Sequence, residues 1–215
     1  MTTQLKIDFV SDVSCPWCVI GRRSLEQALR GLDGVAQAQI HFQPFELNPD
    51  MGPQGQDIGE HIAEKYGASP EQMAQTRETI RARGAELGFS FDMAGRARIY
   101  NTFDAHRLLH WAGLEGRQGA LKHALFEAYF TLGENPASHE LLQRLALQVG
   151  LDGAAAARLL ASDAYAGEVR AAERFYRQQG ISSVPAVIIN ERHLISGGQS
   201  PQVFEQALRE IIAQG

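Results

Sequence analysis

The chain has 215 residues, 20 lysines and arginines against 25 aspartates and glutamates, a formal net charge of −5 and 44% hydrophobic residues. That length suits one large domain or a core domain with a sizeable insertion, and the mild acidity without any basic run argues against nucleic acid as a partner. No apolar stretch reaches the ~18 residues of a membrane span, and Met1-Thr2-Thr3-Gln4 leads straight into a charged strand, unlike a signal peptide, so a cytoplasmic protein with no membrane partner is expected.

Leu5, Ile7 and Phe9 alternate along the first segment, which predicts a half-buried strand ending at Ser11. Next comes Cys15-Pro16-Trp17-Cys18, the only two cysteines of the chain. Cysteines scattered at random would give this spacing roughly one time in a hundred. Ile20, Ser24 and Ala28, and Leu25, Leu29 and Leu32, then recur at helical spacing. They predict a helix of about four turns over residues 16–32, with Pro16 in the first turn, where its missing N–H costs nothing. Cys15 thus stands at a helix N-terminus, where unpaired N–H groups and the macrodipole favour a thiolate. Cys18, one turn on, is expected to lie deeper. An exposed thiolate that attacks a disulfide and a shielded thiol that resolves the mixed disulfide are what exchange chemistry requires.

Other uses of the pair fit less well. A structural bridge closing so short a loop would stabilise little. A zinc site would need two further ligands from the seven histidines, which offer no obvious second pair, so no metal is expected. Haem attachment would need histidine where Val19 stands. In a reducing compartment a lone dithiol is more often catalytic or sensing than structural.

Residues 39–47 read as a second strand, with Pro44 arguing for an edge, a bulge or an early end. Strand, helix and strand make a βαβ unit with parallel strands. Residues 48–56, with two prolines and two glycines, read as a loop. Helical signals fill the next ~120 residues. Ser69-Pro70-Glu71-Gln72 opens a helix toward Leu87 with a capping box, and amphipathic stretches follow over 102–112, 119–132, 138–149, 152–161 and 164–179, stopped by Gly113, Gly133, Gly150 and Gly180. Pro185 then opens Ala186-Val187-Ile188-Ile189, a strand buried on both faces. Asn190-Glu191-Arg192 turns into a strand over 193–196, and Ser200-Pro201 caps a last helix through Ile212. These elements predict an α/β fold: residues 1–47 and 164–215 form a discontinuous domain around a small mixed sheet, and residues 48–163 form an inserted all-helical domain.

Three stretches carry a resemblance to a known family: Ser11-Asp12-Val13-Ser14-Cys15-Pro16-Trp17-Cys18-Val19-Ile20-Gly21, Asn101-Thr102-Phe103-Asp104-Ala105-His106-Arg107-Leu108 and Gly180-Ile181-Ser182-Ser183-Val184-Pro185. They resemble the active-site segment, the helical-insert motif and the proline loop of DsbA-like oxidoreductases of the thioredoxin superfamily, with a closer likeness to the FrnE-like branch. The resemblance implies a thioredoxin fold with a large all-helical domain inserted between an N-terminal βαβ half and a C-terminal ββα half. It implies Cys15 and Cys18 as the catalytic pair and substrate contact from Pro16, Trp17, Val184 and Pro185. His106 and Asn101 are expected to face the cleft between the helical block and the sheet.

From the residues alone, Pro185 could as well begin a buried strand in trans. The resemblance implies a cis Val184–Pro185 bond against the dithiol, leaving the Val184 backbone free to pair with an extended peptide. Trp17 reads as an apolar substrate contact in preference to a plain surface aromatic. His106 and His110 share a helix face, but Arg107 stands where a zinc protease motif has its glutamate, so helix-face or core histidines are expected. Residues 196–200 read as a self-capping helix start ahead of a carboxylate site, although in glutathione-using relatives a similar corner receives the tripeptide.

The expected function is a thiol–disulfide oxidoreductase acting on a disulfide-containing protein or peptide, or on glutathione, with a cellular thiol reductant. It needs no cofactor beyond its redox-active disulfide, with glutathione as an allowed co-substrate. Without histidine at the position of Trp17, its potential is expected between the ~−270 mV of thioredoxin and the ~−120 mV of DsbA. The alternatives are a glutathione-dependent isomerase or transferase resembling 2-hydroxychromene-2-carboxylate isomerases and kappa-class transferases, which commonly carry serine at the place of Cys15, and a non-enzymatic redox sensor. Substrate identity, direction of electron flow and oligomeric state are not legible in one sequence.

Overall fold

A computed structural model describes residues 2–92 and 95–214. Strand β1 (Thr3–Ser11) has Leu5, Ile7, Phe9 and Val10 all buried, as befits a strand inside the sheet. Helix α1 (Pro16–Arg30) follows, then β2 (Ala36–Pro44), which pairs with β1 in parallel. Strand β2 starts three residues before the expected boundary and stops at Pro44, which has no N–H to continue a ladder.

The inserted segment holds α2 (Ile58–Tyr66), α3 (Pro70–Glu86), α4 (Phe103–Leu114), α5 (Gln118–Phe126), α6 (His139–Gln148) and α7 (Gly153–Leu160), and α8 (Ala166–Gln178) follows it. Ser69 and Gln72 close the expected capping box on α3. The insertion is not wholly helical. Two-residue strands β3 (Gln56–Asp57) and β4 (Arg98–Ile99) pair antiparallel, too short to leave a period in the sequence. Helix α2 was hidden in the same way: it has nine residues and its signal is one cap, with Asp57 Oδ1 accepting from the amides of Gly59 and Glu60. The stretch expected as one helix over 119–132 is α5 running into a π-helical turn, Glu127–Thr131, which carries the buried Tyr129 and Phe130.

The chain then returns to the sheet through β5 (Ala186–Ile189), antiparallel to β1, and β6 (His193–Ser196), antiparallel to β5. Asn190 and Glu191 adopt positive φ (52° and 58°), the left-handed pair that a tight hairpin needs. The strand order is β2-β1-β5-β6, and α9 (Pro201–Ala213) packs on α1. This is the expected thioredoxin fold with its helical insertion. One apolar core joins the two parts: Phe126, Tyr129 and Phe130 of the insertion pack in the same cluster as Leu5, Ile7, Leu25 and Phe204. A second cluster, around Leu108, Leu125 and Leu142, belongs to the helices and takes in Val13 from the segment before the cysteines. The site between β1 and α1 is thus gripped from both sides.

Among the described residues no helix is long and apolar enough to cross a membrane.

Candidate active site

Cys15 is the N-cap of α1, in extended conformation (φ −93°, ψ 113°), and Pro16 occupies the first turn. Both cysteines are free thiols, and the Cys18 amide donates to the Cys15 carbonyl at 3.1 Å. Cys18 is fully buried, as the resolving role requires. Cys15 departs from the expectation of an exposed thiol: the residue is only 4% exposed. It lines a groove of about 930 Å³.

The proline loop forms the wall beside it. Val184–Pro185 is a cis peptide bond, and Cys15 Sγ lies 3.6 Å from the Val184 carbonyl oxygen, within reach for S–H donation. In the reduced protein that carbonyl is therefore engaged by Cys15 and is not free as expected. Two glycines let these segments close up. A Cβ on Gly21 would stand 3.0 Å from Pro185 Cγ, and one on Gly198 would stand 2.9 Å from the Trp17 carbonyl oxygen.

Trp17, half-buried, lines the groove together with Pro16 and Val184. The Arg83 guanidinium of α3 sits 5.5 Å from the Trp17 ring centre and donates to the Gly198 carbonyl at 2.9 Å, tying the insertion to the loop before α9. That loop caps its own helix, since Ser200 accepts from the Val203 amide. Ile62, Tyr66, Met73, Ile80 and Ile99 give the groove apolar lining.

Asn101 and His106 are not among the residues that line this groove. Asn101 accepts from the Phe103 amide at 2.9 Å and donates to the Pro49 carbonyl at 3.1 Å, so it supports a lining residue from outside. His106 is buried and opens onto a separate cavity of about 530 Å³ on the β2 side. Its Nε2 lies 3.5 Å from Asp12 Oδ1, a long contact, and has no closer partner among the described residues. His110 packs on Tyr165, with ring centres 5.1 Å apart.

Asp12 is the organising charge that sequence reading missed. Fully buried, it accepts from the amides of Ser14 (3.2 Å) and Leu47 (2.7 Å) and from the hydroxyls of Ser14 (3.0 Å) and Thr102 (2.8 Å). Burial alone would raise its pKa, but the His106 imidazole and these donors outweigh burial and hold it at about 2. Asp12 thereby fixes the chain just before Cys15 to the end of β2 and to α4.

Lys122 was missed as well, although a lysine three and four residues before Leu125 and Phe126 falls on the apolar stripe of α5, which is a readable signal. It is 1% exposed, with Nζ 5.1 Å from the Phe126 ring centre. Burial pulls its pKa down to about 8 against the pull of Cys18 and Asp12. Burial pushes the Cys18 thiol well up, helped by the adjoining Cys15 and opposed by Lys122. Lys122 is thus a cation placed to favour ionisation of the inner thiol.

At the groove's edge, Glu46 Oε2 meets Arg170 Nη1, which also donates to Glu173 at 2.8 Å. Burial, with Glu173 nearby, raises the Glu46 pKa to about 7 against the attraction of Arg170.

A family model described as DSBA-like thioredoxin domain matches residues 6–209. The chain is 34% identical to a probable DsbA oxidoreductase from Streptomyces coelicolor, with a TM-score of 0.88 over 96% of this chain and 89% of the other. The fold is also similar to that of a 2-hydroxychromene-2-carboxylate isomerase (15% identity, TM-score 0.72, 97% of each chain). A third likeness is to the cytosolic disulfide reductase DsbM from Pseudomonas aeruginosa, solved with glutathione (16% identity, TM-score 0.65, 97% of this chain and 99% of that one).

Proposed function

The chain belongs to the DSBA-like thioredoxin domain family, and from that premise we propose that it is a thiol–disulfide oxidoreductase working through Cys15 and Cys18. One observation carries the reading: a free thiol pair begins α1, with the outer thiol lining a groove beside the Val184–Pro185 loop. The Cys15 thiolate attacks one sulfur of a substrate disulfide and expels the other as a thiolate. The Cys18 thiolate then attacks Cys15 Sγ, releases the second substrate thiol and leaves the Cys15–Cys18 disulfide. Two electrons have passed to the substrate. A cellular thiol donor reduces the new bridge, and the same steps run in reverse oxidise a dithiol.

Pro16, Trp17, Val184 and Pro185 flank the substrate in this scheme. Once Cys15 is ionised it has no proton to donate, so the Val184 carbonyl becomes available to a substrate amide. Lys122 favours the Cys18 thiolate for the second attack. Asn101 and His106 act indirectly, through Pro49 and Asp12. The partner is a disulfide-bearing protein or peptide, or glutathione. The fold shared with the cytosolic reductase DsbM supports a cytoplasmic location, and the expected potential is between ~−270 and ~−120 mV.

The shared fold with an isomerase supports a second reading, glutathione-dependent isomerisation or transfer, in which Cys15 need not exchange. Insulin reduction driven by a thiol donor separates the two. The oxidoreductase reading expects turnover by the wild-type protein and none by Cys15→Ser. Turnover retained in Cys15→Ser would refute it.

A further inference from the structure

The groove differs in charge from the rest of the molecule. In a chain of net charge −5, Lys65, Arg77, Arg96 and Arg177 line it, and among the described residues Glu46 is its one acid. Three of the cations are turned partly to the protein's own carbonyls: Lys65 to Leu47, Arg77 to Met73 and Arg177 to Glu46. Arg96 differs. It is 5% exposed, its guanidinium carbon lies 4.7 and 4.8 Å from the ring centres of Tyr129 and Phe130, its side chain also meets the Tyr129 hydroxyl, and its buried Nε alone makes no hydrogen bond among the described residues. A buried donor left unfilled costs free energy, and a cation costs more, unless a ligand completes it. Ile80 and Ile99 line the same groove as Arg96, so a ligand that fills the groove up to the guanidinium also meets hydrocarbon.

We propose that the groove selects disulfide or thiol substrates that carry a carboxylate on an apolar body, and that Arg96 receives that carboxylate. The inference deepens the exchange reading and rests on Cys15 being the exchanging thiol. A planar, singly charged carboxylate matches the guanidinium fork and loses less on entering an apolar wall than a phosphate dianion does.

Two small aromatic disulfides provide the test: dithiobis(nitrobenzoate), with a carboxylate on each ring, and dithiodipyridine, uncharged at neutral pH. Reduced protein gives two electrons to either, forming the Cys15–Cys18 disulfide and releasing two aryl thiols, so one turnover needs no other reductant. The quantity read is the anionic-to-neutral rate ratio, normalised to the same ratio for free dithiothreitol. In the wild-type protein it should exceed one and fall as salt is added. In Arg96→Met it should drop about tenfold, the worth of one charged hydrogen bond, and Arg96→Lys should restore part of it. Equal slowing of both reactions by Arg96→Met, with the ratio unchanged, would mean that Arg96 only supports the fold and would overturn the proposal. A wild-type ratio of one would overturn it too. Failure of both compounds to oxidise the wild-type pair is a different result, which removes the exchange reading and this inference with it.

Discussion

Thr102 Oγ1 donates to Asp12 Oδ1 at 2.8 Å, across 90 residues of chain, and so joins the start of α4 to the segment that delivers Cys15. Asp12 is held at about 2, below its ordinary 3.8, so its stabilisation is present above pH 4 and lost as pH falls from about 4 to about 2. Asp12→Asn should therefore lose about 2 kcal/mol at neutral pH. It should also lack the wild type's extra acid sensitivity in that window. Denaturant unfolding across the window checks both, and parallel curves for the two proteins would contradict the assignment.

Glu46 carries the opposite sign. Its carboxyl sits at about 7, above the ordinary 4.5, so its folded form holds a proton longer than the unfolded chain does. Stability from this group is full below about 4.5 and declines as pH rises to about 7. Glu46→Gln should remove that decline, so the variant gains on the wild type as pH rises over this range. A constant difference between the two would show that the carboxyl ionises normally.

Lys122 is displaced downward, to about 8 from 10.5, so it disfavours the folded state fully below about 8 and that cost fades as pH rises to about 10.5. Lys122→Met should be at least as stable as the wild type at neutral pH, with the advantage shrinking across the same interval. Removing the cation also leaves the Cys18 thiol harder to ionise. Release of the second substrate thiol should slow about three- to tenfold, while the first attack by Cys15 is less affected. Rapid quenching of a single turnover resolves the two steps.

Gly198 faces the Trp17 carbonyl, where an added Cβ would come within 2.9 Å of backbone that cannot swing aside. Gly198→Ala should cost about 1–3 kcal/mol by overpacking. It should also slow exchange, because the displaced carbonyl lies between the two cysteines. Unchanged stability and rate would mean that the loop before α9 yields freely.

The βαβ and ββα halves were legible because their signals are local: alternation in β1, the dithiol at a helix start, and a continuous apolar run in β5. Helix α2 and the β3–β4 ribbon escaped because nine and two residues carry little period and owe their existence to the cap on Asp57 and to packing. Cys15 and Cys18 were readable from spacing, but the cover over Cys15 was not, since it comes from a loop 169 residues away. His106 and Asn101 do not line the groove that holds Cys15, and a helix motif could not show this, since it reveals which residues share a face and not which cavity the face meets. Asp12 and Lys122 act through burial, which a sequence reveals only as a charge in an apolar stretch.

The most direct test is a single reaction of Cys18→Ala with a disulfide peptide, quenched with acid and read by mass spectrometry. Exchange through Cys15 predicts a stable mixed disulfide mapped to Cys15, while the wild-type protein passes on to the Cys15–Cys18 bridge and frees both peptide thiols. A Cys18→Ala protein that stays unmodified while folded would contradict the account at its centre, for Cys15 would then be a covered thiol that no substrate reaches.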